Sequence, residues 1–352
     1  MKKDRWLILV AMALLAILLA LFFIGSRNNK DAAAMPDSDP AATETTVPET
    51  PDPVLTDGED GASVAEDDTE YLNVPLDQFK EYADSSSGMW EFIQRFFKDV
   101  IVYKTSGGKY VYEPINKDLP QSDYDWSKLR EVGLDSREVE YVENGQTVSI
   151  KGIDVSKYQE EIDWEKVAES GVKFAIIRLG YRGYSSGNLV LDECFEYNVQ
   201  EARRNGIQVG VYFVTQAVSE EEAVEEAEFV LDSIAPYNVT WPIVLDLEDA
   251  GSDSARTVLL TAQERTDYVR AFCERIKQAG KKPMLYFNIV WLLEKLDITR
   301  LTDYDKWFAQ YFNIPFFPYE FQMWQYTSSG KIDGIKGNVD MNISFKDYSK
   351  GE

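Results

Sequence analysis

Residues 242–251 read PIVLDLEDAG, an apolar run that ends in three acids. Asp246 and Glu248 are two positions apart, so an extended chain sends both carboxyls to one face, shared with Val244, while Ile243, Leu245 and Leu247 take the other. Two carboxyls held side by side do not both ionise cheaply. Crowding and partial desolvation raise the pKa of one while its neighbours stay charged, and that produces a general acid. Asp249 reads as an ordinary loop acid. Other apolar runs also end in or contain polar residues: Asp154, Arg178, Tyr286, Asn288, Gln310, Gln325, Tyr326 and Asp340. For Asp246 and Glu248, as for any single acid, a solvated strand end is the competing explanation; for Arg178 it is a buried ion-pair partner, and for most of the Tyr and Trp positions it is the core.

The 352-residue chain contains no histidine and two cysteines, Cys194 and Cys273. A Ser-His-Asp or Cys-His site is therefore excluded, as is a Cys/His zinc site. Proton transfer near neutral pH falls to carboxyls with raised pKa, or to Lys, Tyr or Cys. The reaction class that best matches several carboxyls is glycoside hydrolysis, in which one acid protonates the leaving oxygen and carboxylates stabilise an oxocarbenium-like transition state. Tyr158, Tyr181, Tyr212, Tyr286, Trp324 and Tyr326 offer flat faces for sugar rings. A Mg or Ca site built from Asp154, Asp246, Glu248 and Asp340 is the competing use of the same acids; the expectation is a site without metal or cofactor. The formal net charge of -25 argues against nucleic acid as a partner, since polyanion binding rests on Lys and Arg. Cys194 and Cys273, each in a helical, partly apolar stretch, read as buried thiols rather than a disulfide.

The elements that must position these residues are eight short apolar runs: GIDVS, FAIIRLG, VGVYFV, PIVLDLE, PMLYFN, KWFAQY, FQMWQY and VDMNI. Several are separated by helical stretches with Gly171, Gly206 or Gly280 where a C-cap belongs, and Ser219/Glu222 and Thr261/Glu264 have capping-box spacing. The pattern predicts a mostly parallel β/α barrel over 151–352, irregular at its end because the last three runs lie close together, with catalytic groups at the C-terminal ends of the strands.

Ahead of the barrel the chain changes character three times. Residues 6–24 form nineteen uncharged apolar positions preceded by Lys2, Lys3 and Arg5 in the short tail 1–5. At 1.5 Å per residue they span about 28 Å, so they predict a transmembrane signal anchor with the rest of the chain outside the cytoplasm; cleavage after 32–34, giving a secreted protein, is the alternative. Residues 25–70 read as a disordered linker: 31–70 hold thirteen acids and five prolines but no Lys, Arg or aromatic residue, a composition that cannot bury enough surface to order itself. Its reach is about 40 Å. Residues 71–150 regain apolar periodicity, with a helix-like MWEFIQRFFKDV, a hairpin around Gly107-Gly108 and a second around Asn144-Gly145, and predict a small mixed α+β accessory or stalk region.

The motifs GIDVSKYQ, WPIVLDLE, MLYFN, KWFAQY and MWQY followed by VDMN, in this order over 152–345, resemble glycoside hydrolase family 25, the lysozyme or N-acetylmuramidase family. The resemblance implies an irregular, flattened β/α (TIM-like) barrel that hydrolyses the β-1,4 bond between N-acetylmuramic acid and N-acetylglucosamine in peptidoglycan. Carried over by motif, Glu248 is the proton donor, Asp246 the partner that stabilises the transition state or orients the substrate acetamido group, and Asp154 and Asp340 the flanking carboxylates; Asp154 as base or nucleophile is the open alternative. Tyr286 and Trp324 are implied groove residues, with Tyr212, Arg178, Gln159 and Asn288 as further substrate contacts. Two positions depart from the family pattern. Glu160 stands where Gly is common, and Phe213 where His is common, which bears on subsite affinity and pH optimum. The expected function is a membrane-tethered, extracytoplasmic muramidase acting on peptidoglycan glycan strands; the alternatives are a wall-binding module without catalysis and a hydrolase of another β-linked amino sugar.

Overall fold

The computed structural model describes residues 99–105, 107–132 and 137–350. The expected anchor (6–24), the linker (25–70) and the helix-like run up to residue 98 lie outside the described residues. Among the described residues, no helix is long and apolar enough to cross a membrane.

Both expected hairpins form. β1 (Val100–Lys104) and β2 (Tyr110–Pro114) pair antiparallel. β3 (Leu129–Val132), β4 (Glu138–Glu143) and β5 (Gln146–Thr147) make a three-stranded sheet. Asn144 (φ 51°) and Gly145 (φ 77°) turn β4 into β5, the two left-handed positions that an Asn-Gly hairpin turn requires.

The barrel follows with β6 (Ile150–Val155), β7 (Phe174–Arg182), the short β8 (Leu189–Leu191), β9 (Gln208–Val214), β10 (Ile243–Asp246), β11 (Pro283–Asn288), β12 (Asp305–Ala309), β13 (Met323–Gly330) and β14 (Val339–Ser344). Eight of these close in the cyclic order β6-β7-β9-β10-β11-β12-β13-β14, and β8 adds to the rim of β7. All eight expected strands are present. Neighbours are parallel except β14, which runs antiparallel to both β13 and β6, and the β13–β14 register slips twice. The anticipated irregularity is this reversed strand: eight residues between Gly330 and Val339 leave no room for a crossover helix.

Helices α1 (Trp164–Glu169), α2 (Phe195–Arg204), α3 (Glu220–Ile234), α4 (Ala262–Gln278) and α5 (Ile289–Lys295) pack outside. Gly171, Gly206 and Gly280 follow α1, α2 and α4 at φ 86°, 78° and 71°, the left-handed step that ends a helix. Thr261 and Glu264 form the full capping box, whereas Ser219 receives the Glu222 N–H and the Glu222 carboxylate turns to Val218 N.

The period-two strands divide the apolar residues into two cores. Phe174, Ile176, Trp241, Val244, Met284, Trp307 and Met323 fill the barrel, and a larger core lies between barrel and outer layer. Gly152 is required by the inner core: a Cβ there would sit 2.2 Å from the Phe174 ring. Around the last strands, where the chain supplies no helix, the outer layer comes from the region before the barrel. Tyr124 donates from its hydroxyl to Phe321 O at 2.7 Å, Trp126 stacks on Phe321 with centroids 6.1 Å apart, and Ile101, Tyr103 and Leu119 join the outer core.

Candidate active site

At the C-terminal ends of the parallel strands a groove of about 550 Å³ opens, with Asp154, Asp246, Glu248 and Asp340 among its lining residues. β10 delivers its acids as the alternation requires. Val244 lies in the inner core, Ile243, Leu245 and Leu247 in the outer one, and Asp246 and Glu248 face the groove. Asp249 is exposed and pairs with Lys295, away from the groove.

Asp154, next to last in β6, lies directly opposite Asp340 of β14. Its Oδ2 accepts two amide hydrogen bonds, from Gln325 Nε2 at 2.9 Å and Asn342 Nδ2 at 2.7 Å. Each amide is itself oriented. The Gln325 carbonyl accepts from Tyr286 Oη and Tyr311 Oη, both at 2.8 Å, and the Asn342 carbonyl accepts from Trp307 Nε1 at 2.8 Å. These partners settle which way both amides point, because a flipped amide would face its donors with N–H. Burial pushes the Asp154 carboxyl up to about 6, against the lowering effect of the two amides and of a hydrogen bond from Asp340. Asp340 is raised well above the usual carboxyl range by burial, by the Asp154 charge and by that same bond. The two amide donors favour the charged form of Asp154, and its charge favours the protonated form of Asp340.

Asp246 is buried, and among the described residues its Oδ1 has no hydrogen-bond partner. Its pKa is raised well above normal by burial and then by the charges of Glu248 and Asp154, with Arg178 acting in the opposite direction. A buried, unsatisfied oxygen costs about 1–3 kcal/mol, a cost that a ligand N–H or O–H would remove. Arg178 is fully buried. Its Nε donates to Asp192 Oδ2 at 2.7 Å, and its guanidinium lies 5.0 Å from the Tyr158 ring centroid at the groove edge. Arg178 is thus an ion-pair partner, and it also lines the groove. Tyr158 is 45% exposed and presents an aromatic face to the groove.

The pattern of glycosyl hydrolases family 25 matches residues 153–335. That segment is just over half of the 352 residues. The chain belongs to this family. It is a glycoside hydrolase. Among similar proteins, the uncharacterized protein YegX of Escherichia coli K12 is 30% identical over 200 residues, 55% of this chain and 69% of YegX. Lysozyme M1 of Streptomyces globisporus is 26% identical over 206 residues, 56% of this chain and 68% of that protein. The modular autolysin LytC of Streptococcus pneumoniae shares the fold, with a TM-score of 0.51 at 24% identity over 70% of this chain and 57% of its own.

On this family 25 barrel, Asp154, Asp246, Glu248, Asp340, Tyr286, Tyr212, Arg178 and Gln159 line the groove as the sequence indicated. Gln159 also accepts the Ser156 N–H at 2.9 Å, in a capping box that fixes the loop after β6. Two expected contacts are corrected. Trp324 is fully buried in the outer core, with its Nε1 bonded to Gln310 O at 2.8 Å; on β13 it alternates with Met323 and Gln325, which face inward, so it must face outward. Asn288 caps α5 by accepting the Trp291 N–H at 3.0 Å. The alternation that removes Trp324 also removes Tyr326, and Tyr181 does not line the groove. Gln310 accepts from Phe316 N at 2.6 Å within its loop.

Of the two departures, Phe213 lies in the outer core, 6.0 Å from Phe229, so it touches barrel packing and not the groove. Glu160 holds φ 53° and ψ −139°, a conformation in which Gly is at ease and an L-residue is strained. Sequence reasoning missed Trp307, Tyr311 and Asn342. Trp307 shares the inward phase of β12 with Ala309, and Asn342 that of β14 with Asp340, so the strand period alone would have found these two; Tyr311 lies beyond the end of β12. Asp192, which seats Arg178, has no local signal. Cys194 is half-buried at the start of α2 and Cys273 buried in α4; both are free thiols. Among the described residues no group of three or more acidic, Cys or His side chains has metal-holding geometry.

Proposed function

We propose that this chain hydrolyses the β-1,4 bond between N-acetylmuramic acid and N-acetylglucosamine of peptidoglycan. The observation that carries the reading is the buried Asp246 carboxyl with an unpartnered oxygen, beside Glu248 in a groove of about 550 Å³. Glu248 is half-buried and is assigned the proton delivered to the leaving glycosidic oxygen. Asp246 is assigned the N–H of the 2-acetamido group, which it would hold so that the acetamido oxygen can approach the anomeric carbon from the opposite face. Asp154 keeps a charge beneath the developing oxocarbenium ion, supported by its two amide donors and the proton on Asp340. Tyr158 and Tyr212 supply ring contacts. Asp154 acting directly as base or nucleophile is the second reading, and its double amide support is the observation that favours it.

The similarity to lysozyme M1 of Streptomyces globisporus supports the substrate class. Residues 6–24 are assigned as the membrane anchor and 25–70 as the tether that holds the barrel, over 151–352, outside the membrane, with 71–150 as the accessory region. The test is product analysis on purified sacculi. New N-acetylmuramic acid reducing ends support the assignment; N-acetylglucosamine reducing ends would move the bond, and binding without release would make the chain a wall-binding module.

A further inference from the structure

The groove floor is acidic, yet one rim is not. β13 and the turn after it line the groove with Ser328, Ser329, Lys336 and Asn338. Lys336 is 79% exposed, and its nearest acid is Glu160, at a loose 3.9 Å. A second cation arrives from outside the family-matched segment. Arg137, just ahead of β4 and itself at φ 52°, donates from Nη1 to Ser329 Oγ at 2.6 Å. Residues 153–335 carry the family pattern, so Arg137 comes from the preceding region and meets the groove through Ser329, which lines it. Ser329 takes one of the five N–H donors of a guanidinium, whose planar fork suits a carboxylate.

Lys336 in the groove lining, and Arg137 held against the lining residue Ser329, bring positive charge to a groove lined by four carboxyls, an arrangement that sorts a substrate by charge. Neutral sugar rings fit over the floor, and an anionic group is repelled from the floor and attracted to this rim. In the glycan proposed above, such a group exists on one sugar only. Muramic acid carries at O3 a lactyl ether that ends in a carboxylate or continues into a stem peptide with carboxylates of its own. Resting on the proposed function, we infer that Arg137 and Lys336 form a subsite for the carboxylate-bearing O3 substituent of muramic acid, and that residues 99–150 act in substrate selection as well as in covering the barrel.

The test uses the full chain and three substrates: peptide-bearing glycan strands, the same strands with their carboxyls amidated, and strands stripped of peptide by an amidase. The wild type is expected to lose roughly five- to tenfold in kcat/KM on amidated strands, and less at 0.5 M salt than at 0.05 M because exposed charges are screened. The ratio should fall towards one in the Arg137→Gln/Lys336→Gln double variant and persist in Arg137→Lys, with melting temperatures checking that each is folded. Stripped strands, which end in the lactyl carboxylate, cleaved as well as intact ones show that the rim takes either carboxylate; stripped strands cleaved less well assign the stem-peptide carboxylates. Equal cleavage of intact and amidated strands, or a double variant that keeps the discrimination, overturns the inference. A wild type that cleaves none of the three overturns the proposed function, which separates the two failures.

Discussion

Asp246→Asn should raise stability and abolish activity, in a way that depends on pH. In the fold Asp246 is raised well above its ordinary 3.8 by burial and by the Glu248 and Asp154 charges. Such a group contributes its full stability below the unfolded pKa, and the contribution is lost as pH rises towards the folded pKa, at up to about 1.4 kcal/mol per pH unit. Asn has the shape of the protonated acid and does not titrate. The two proteins should therefore have similar stability at pH 4, and by pH 6 the variant should lead by up to about 2.7 kcal/mol. For a domain of this size each kcal/mol moves the melting temperature by roughly 2–4 °C, so the gap should widen by about 5–11 °C over those two pH units. Thermal unfolding of the full chain at both pH values, with turnover of sacculi alongside, measures this. Turnover should fall by about 10²–10⁴. A variant that is destabilised, or whose advantage is the same at pH 4 and pH 6, would refute the reasoning that Asp246 is crowded by its neighbours.

Glu160→Gly should stabilise by about 1 kcal/mol, since relief of positive-φ strain exceeds the added freedom of the unfolded chain; chemical denaturation at unchanged m-value reads it. Gln325→Leu removes one of the two amide donors that hold the Asp154 pKa down to about 6 against burial, so the acid limb of the pH–rate profile should move to higher pH, with a rate loss of roughly ten- to a hundredfold near that limb. Trp324→Ala and Tyr158→Ala separate core from groove: the first should cost about 3–5 kcal/mol, whereas the second should raise KM with little change in melting temperature.

The barrel was legible because each of its eight strands is an apolar run bounded by polar residues, and because Gly171, Gly206 and Gly280 mark helix ends that nothing but backbone geometry requires. The acid pair was legible for the same reason, since Asp246 and Glu248 keep the phase of Val244. Trp324 was misplaced because residue type outweighed phase: aromatic rings suit sugars, but on β13 the inward positions belong to Met323 and Gln325. Asn288 was misplaced because a polar residue at a strand end is also a helix N-cap when a helix starts at the next residue. The antiparallel β14, the seat that Asp192 provides for Arg178 and the contact of Arg137 with Ser329 join residues far apart in the chain, and no local pattern encodes them.

The central claim is that Glu248 delivers the proton for hydrolysis between muramic acid and glucosamine. Mass spectrometry of purified sacculi incubated with wild-type chain and with Glu248→Gln, both confirmed as folded, tests it most directly. Muropeptides with N-acetylmuramic acid at the reducing end are expected from the wild type and none from the variant. Release of the same products by Glu248→Gln at a comparable rate, or intact strands with the wild type, would contradict it.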